Sequence, residues 1–237
     1  QFDGYLKRYG TFAGTGITSF RMPSNLQYIA PETFRNCEQL KTFYIGKAFR
    51  GKINYGEEGD PDTLFLYYAP IRLIQIDKEN TSYQLQNEIL YTRDGHILCQ
   101  ALKNDNADSQ LTIPSCVTEI ADGAFYRNSE FGAIEVKGSL ERIGISAFAC
   151  ADVGSFYVKG GVNYLDRGSF YQSAISEWRC HGGVKKYEKS AFQDVDATNG
   201  YAIDMNAITK LYQELLYVNA TTDLSYWVKT IWNWITM

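Results

Sequence analysis

Hydrophobic positions along this chain recur at steps of four, three and five, and each set ends on a phenylalanine. Five gap-free copies carry the pattern: MPSNLQYIAPETF (22–34), IPSCVTEIADGAF (113–125), VKGSLERIGISAF (136–148), VKGGVNYLDRGSF (158–170) and CHGGVKKYEKSAF (180–192). Met22, Leu26, Ile29 and Phe34 form one set; Ile113, Val117, Ile120 and Phe125 form the next. Phe125, Phe148, Phe170 and Phe192 stand 23, 22 and 22 residues apart. A fixed period of this size marks a solenoid, in which one unit cannot bury its apolar face until copies stack.

The other half of each unit alternates. Phe43 and Ile45, Ile134 and Val136, Phe156 and Val158, and Trp178 and Cys180 are each separated by one polar position. That period predicts short half-buried strands. Phe12, Ile17, Phe20 and Met22 fit the same scheme, as do Phe65, Ile71, Ile74 and Ile76 after an inserted loop at about 50–63. Pro-Ser or Gly-Gly pairs follow most strands and supply turn chemistry. Small residues (Ala124, Ala147, Ser169, Ala191) precede the phenylalanines, so that coils can approach. The rings, Phe34 included, are expected to stand in line.

Residues 77–110 break the period. Ile89-Leu90-Tyr91 and Ile97-Leu98 flank Asp94-Gly95, which predicts a β-hairpin. After Phe192 the pattern fades into an apolar set at Leu224, Trp227, Val228, Ile231, Trp234 and Ile235, spaced for a terminal cap helix started by Asp223. The expected fold is an α/β solenoid whose short parallel strands stack in one curved, right-handed sheet. It forms a single domain over 1–237, with repeats at about 12–76 and 111–195, the hairpin at 77–110 and the cap at 196–237.

These strings resemble the BspA-type leucine-rich repeat of bacterial surface proteins. IPSCVTEIADGAFYRNSEFGAIEV follows the family unit, ILYTRDGHIL resembles its interrupting hairpin, and LYVNATTDLSYWVKTIWNWI resembles its closing segment. Cys37 and Cys150 lie near the family's cysteine position. The resemblance departs at 46–63 and 197–213. It implies a leucine-rich-repeat solenoid, secreted or displayed on a bacterial cell surface, that works as an adhesin. Its partners would be host, matrix or other cell-surface proteins.

Composition narrows the chemistry. The net charge is −4, which argues against nucleic acid as the main ligand, because phosphate neutralisation needs clustered Lys and Arg. No run of about 20 apolar residues is present to span a membrane. The chain begins inside a repeat, which motivates the alternative of a spacer that displays another domain. Only two histidines occur, His96 and His181, neither in a metal or triad motif, so no enzyme activity and no cofactor are expected. Asn104, Asn106 and Asp108 have calcium-loop spacing without the glycine and distal glutamate, and Glu57, Glu58, Asp60 and Asp62 make an acidic loop. Both read as solvated loops, and no metal site is expected. The five cysteines include no CxxC pair; they read as buried free thiols, with one disulfide left open.

Alternation names the outward strand residues: Arg21, Tyr44, Gln75, Thr112, Glu135, Tyr157 and Arg179, followed by Lys137, Lys159 and His181. Tyr and Arg are enriched among binding hot spots, and a solenoid presents such columns as one continuous concave surface. A protein-binding module is the leading expectation. A spacer displaying another domain, and a glycan-binding surface using some of the 18 tyrosines or the tail tryptophans Trp227, Trp232 and Trp234, are the alternatives.

Overall fold

A computed structural model describes residues 10–30, 33–53, 69–102, 109–129 and 131–193. The alternating runs form strands. In the N-terminal block β1 (Ser19–Arg21), β2 (Thr42–Ile45) and β3 (Leu73–Ile76) make a three-stranded parallel sheet. In the C-terminal block β7 (Ser109–Ile113), β9 (Phe131–Val136), β11 (Asp152–Val158) and β13 (Ala174–Cys180) make a four-stranded parallel sheet, one strand per coil.

Each C-terminal coil adds a second strand past its turn: β8 (Glu119–Ile120), β10 (Leu140–Ile143), β12 (Val162–Leu165) and β14 (Val184–Tyr187). These pair in parallel in a separate sheet. The coil is therefore walled by two sheets, where the sequence led us to expect one. The reason is the spacing. Leu140 and Ile143 are both buried while Glu141 and Arg142 between them face outward, and Val162 and Leu165 repeat the arrangement. An apolar step of three does not read as a strand, whose period is two.

The phenylalanines occupy a third wall. Phe125, Phe148, Phe170 and Phe192 stack at 4.6, 4.9 and 5.2 Å, with ring planes within 8° of parallel. Phe156 and Trp178 meet this stack edge-on. The backbone threads the stack as well: the Phe125 N–H donates to Ala147 O, Phe148 to Ser169 O and Phe170 to Ala191 O, each at 2.7 Å. Two residues after Phe12, Phe34, Phe125, Phe148 and Phe170 the chain enters the left-handed region, at Gly14, Asn36, Arg127, Cys150 and Gln172 (φ 69, 57, 52, 54 and 50°). There the N–H groups of Arg127, Cys150 and Gln172 also turn toward the following coil. Bulky residues in this region are uncommon, so the surrounding ladder holds them there.

The alignment of rings is interrupted. Phe12 and Phe34 form their own stacked pair at 5.5 Å in a separate N-terminal core, and the expected single line is two runs. A three-stranded antiparallel meander lies between: β4 (Tyr83–Gln86), β5 (Ile89–Thr92) and β6 (Ile97–Ala101). The hairpin expected around Asp94-Gly95 is β5–β6. A second, unexpected turn at Asn87 and Glu88, both at positive φ, joins β4 to β5. The meander is no excursion from the solenoid, because β6 pairs in parallel with β8 and continues its sheet.

Its two faces feed different cores. Leu90, Cys99 and Leu102 pack into the N-terminal cluster, whereas Ile89, Tyr91, Leu98 and Ala101 pack into the C-terminal one. Burial on both faces explains the unbroken apolar run Ile89-Leu90-Tyr91. Asn80 fastens the meander to the N-terminal block. Its buried amide donates to Gly46 O (2.8 Å) and Phe49 O (3.1 Å), and its carbonyl accepts from the N–H groups of Ser82 and Tyr83. The Tyr83 hydroxyl donates to Gly51 O.

The α component is absent from the described residues, which carry strands and turns and no helix. The expected cap helix, Phe65, the acidic loop at 57–62, the Asn104–Asn106–Asp108 loop and the tail tryptophans lie outside the described residues.

Candidate functional site

Strand alternation turns Phe20, Phe43 and Ile74 toward the N-terminal core, and so turns Arg21, Tyr44 and Gln75 out. These three are in parallel register and form one row. The Arg21 guanidinium lies 3.9 Å over the Tyr44 ring, and the Tyr44 hydroxyl donates to Asp77 Oδ2 at 2.9 Å. Asp77 Oδ1 accepts the Glu79 N–H at 2.9 Å. That backbone donor, then the Tyr44 hydroxyl, hold the Asp77 carboxyl below its ordinary range. The same hydroxyl bond, which a phenolate would lose, raises Tyr44. Met22, Pro23 and Ser24 complete a shallow open groove of about 340 Å³ beside this row.

The second row lies in the C-terminal block. Thr112, Glu135, Tyr157 and Arg179 are in register across β7, β9, β11 and β13. Lys137, Lys159 and His181 stand two residues further along each chain. Here the polar groups are already matched. Glu135 pairs with Lys137 and, at 3.2 Å, with Lys159; these bonds, the Lys137 one foremost, lower its carboxyl. Arg179 pairs with Glu177. The Tyr157 hydroxyl and His181 Nε2 are hydrogen-bonded, with the rings edge to face at 5.1 Å. The single continuous column expected from sequence is thus two rows on two separate sheets. The meander ends one stack before the other begins.

A third row escaped sequence reasoning. Glu119, Arg142, Tyr164 and Lys186 are in register on β8, β10, β12 and β14. Arg142 bonds Glu119 (2.8 Å), Asp122 (2.5 Å) and Asp166 (2.8 Å). Partial burial pulls its pKa down, but the Asp122 charge and the Asp166 and Asp122 hydrogen bonds outweigh it, so the guanidinium is held charged more firmly than usual. Tyr164 donates to Glu188 at 2.6 Å and lies under Lys186 at 5.1 Å. Burial first, and the Glu188 bond second, push its hydroxyl up to about 12. The two residues between each apolar pair spaced by three are the signal that names this row.

The chemistry of the remaining candidates is structural. His96 Nδ1 lies 3.0 Å from Cys116 O, and the second histidine, His181, is engaged with Tyr157. No cluster of three or more His, Cys, Asp or Glu among the described residues has the arrangement of a metal site. None of the five cysteines is in a disulfide. Cys37, Cys99 and Cys180 are buried as expected, and burial pushes the Cys99 thiol up to about 12. Cys116 is exposed and Cys150 half-buried. Cys150 departs from expectation because it occupies the left-handed corner after Phe148, where the side chain points away from the core.

Comparison with known proteins agrees with this architecture. The family model described as a BspA type leucine-rich repeat region matches six copies over residues 8–55 and 95–199. No curated protein matches. Among solved structures, the pneumococcal vaccine antigen PcpA is similar, with a TM-score of 0.53 at 15% identity over 84% of this chain. A leucine-rich repeat protein from Eubacterium ventriosum aligns over 78% at 16% identity and a TM-score of 0.42. The alignment spans 66% of the length of each of these proteins. The matched region covers more than half of the sequence and includes the ladder phenylalanines, their corners and strands β6 to β14, and the chain belongs to the BspA-type leucine-rich repeat family.

Proposed function

We propose that this chain is a non-enzymatic, surface-displayed module that binds another protein through its outward strand rows. The observation that carries this reading is the register of Arg21 with Tyr44 and Gln75, and of Glu135 with Tyr157 and Arg179. Such rows place hot-spot residue types at the fixed interval of neighbouring strands, which suits an extended protein surface. The family supports a bacterial cell-surface location and an adhesin-like role; the likeness to a vaccine antigen supports the fold. A glycan surface has less support, because sugar stacking needs an open aromatic face. One face of Tyr44 is covered by Arg21, and one face of Tyr164 by Lys186.

The test is alanine substitution at Tyr44, Tyr157 and Arg179, read as affinity for an identified protein partner. Loss of about tenfold or more at any of these positions is the hot-spot result. Unchanged affinity in all three variants overturns the assignment to these rows.

A further inference from the structure

We infer that the Arg21–Tyr44–Asp77 groove takes an acidic side chain from an extended segment of the partner protein. This deepens the protein-binding reading and rests on it. The first support is the state of Arg21. Lys47, Lys137, Lys159, Arg142 and Arg179 each form an ion pair, whereas Arg21 pairs with no carboxylate among the described residues. Its contacts are both with Tyr44: the guanidinium lies over the ring, and a hydrogen bond reaches the hydroxyl.

That contact orients the guanidinium. Of its five N–H donors, those not given to the Tyr44 hydroxyl are left for a carboxylate. An ordered donor loses less side-chain freedom on binding than a mobile one. The groove floor beside it is apolar and rigid: Met22 is buried and Pro23 fixes the turn. At the other end Asp77 accepts two hydrogen bonds, and a carboxylate has about four acceptor sites. It can therefore accept a backbone N–H from the same segment. A donor fork and an acceptor in one groove suit a polypeptide bearing Asp or Glu. Inorganic phosphate engages only the Arg21 end, because it brings no backbone N–H for Asp77 to accept.

The experiment is an NMR titration of the ¹⁵N-labelled chain with acetyl-Gly-Glu-Gly-amide, with the Gln counterpart and inorganic phosphate as comparisons. The expected result is saturable movement of the Arg21 Nε–H and Tyr44 ring signals with the Glu peptide. The Gln peptide should bind about tenfold more weakly, in keeping with loss of a charge-assisted bidentate pair. R21Q should abolish the response, and R21K, which keeps the charge but not the fork, should weaken it. Arg21 is exposed, so both variants should keep the wild-type amide spectrum. Equal response to Glu and Gln peptides, or a stronger one to phosphate, overturns the inference. A response centred on Glu135, Tyr157 and Arg179 also overturns it while leaving the protein-binding reading standing. No response at any outward strand residue contradicts both.

Discussion

The two outward rows are built by the same strand geometry and differ in what their charges already hold. In the C-terminal row every ionic group has a neighbour: Glu135 holds two lysines, Arg179 holds Glu177, and Tyr157 holds His181. In the N-terminal row Arg21 rests on Tyr44, by ring and hydroxyl, and pairs with no carboxylate among the described residues. A partner approaching the first of these must displace existing bonds, so each new contact is offset by one lost. A partner approaching the second meets a donor that is already oriented. Position on an outward face thus makes a residue available, and its neighbours decide whether it is free.

The blocks beneath the rows differ as well, and the largest expected effect separates them. Phe148 is fully buried between two parallel rings, while Phe12 is half-buried and, among the described residues, beside one parallel partner. Phe148→Ala should cost about 3–5 kcal/mol in urea unfolding, and Phe12→Ala clearly less. Equal costs would mean that the two stacks do not differ as their burial says. Leu90 and Leu98 then test the meander. Each is fully buried, and each feeds a different core. Leu→Ala at either should cost about 2–5 kcal/mol. Hydrogen exchange should report the loss first in β1–β3 for Leu90→Ala and first in β9–β13 for Leu98→Ala.

A smaller effect contrasts two buried asparagines. Asn80 has both ends of its amide bonded, whereas neither side-chain atom of Asn128 has a hydrogen-bond partner among the described residues. The matching position one coil on from Ala151 is Ser173, whose hydroxyl donates to Phe170 O at 2.8 Å. Asn128→Ser should therefore raise stability by about 1–2 kcal/mol, and Asn80→Ser should lower it. A drop in both would show that Asn128 is satisfied.

The smallest effects are in pH. Asp77 and Glu135 are both lowered, so the stability they contribute is present above their unfolded values and is lost as pH falls through the folded ones. Asp77→Asn and Glu135→Gln should each flatten the acid limb of a stability profile below about pH 4.5. At the alkaline end Tyr91 and Tyr164 are raised to about 12, and Tyr91 owes this mainly to burial. Their contribution is complete below about pH 10 and is lost as pH rises toward 12. Tyr164→Phe should shallow that limb, and an unchanged profile would remove Tyr164 from it.

Much of this was legible in the sequence, for identifiable reasons. Alternation located the strands of the first sheet in each coil, and with them Arg21, Tyr44, Glu135, Tyr157 and Arg179. The recurring phenylalanines located the inner wall, and Asp94-Gly95 located β5–β6. The second sheet was not legible because Leu140 and Ile143, or Val162 and Leu165, are spaced by three. The left-handed corners were hidden because Arg127, Cys150 and Gln172 carry no local preference for that conformation; the inter-coil ladder imposes it. The splitting of the ladder was hidden too, since only packing shows that Leu90 and Leu98 face opposite cores. Ion pairing across coils joins residues 20 or more apart in sequence, such as Arg142 with Glu119, Asp122 and Asp166, and no local pattern encodes it.

The contrast between an open and a closed row can be measured on the arginines themselves. Side-chain Nε–H spectra would be recorded during an acetate titration of the wild-type chain and of Glu177→Gln. Arg21 is expected to respond in both proteins, and Arg179 only once Glu177 has lost its charge. An Arg179 signal that moves with Arg21 in the wild-type chain would contradict the contrast.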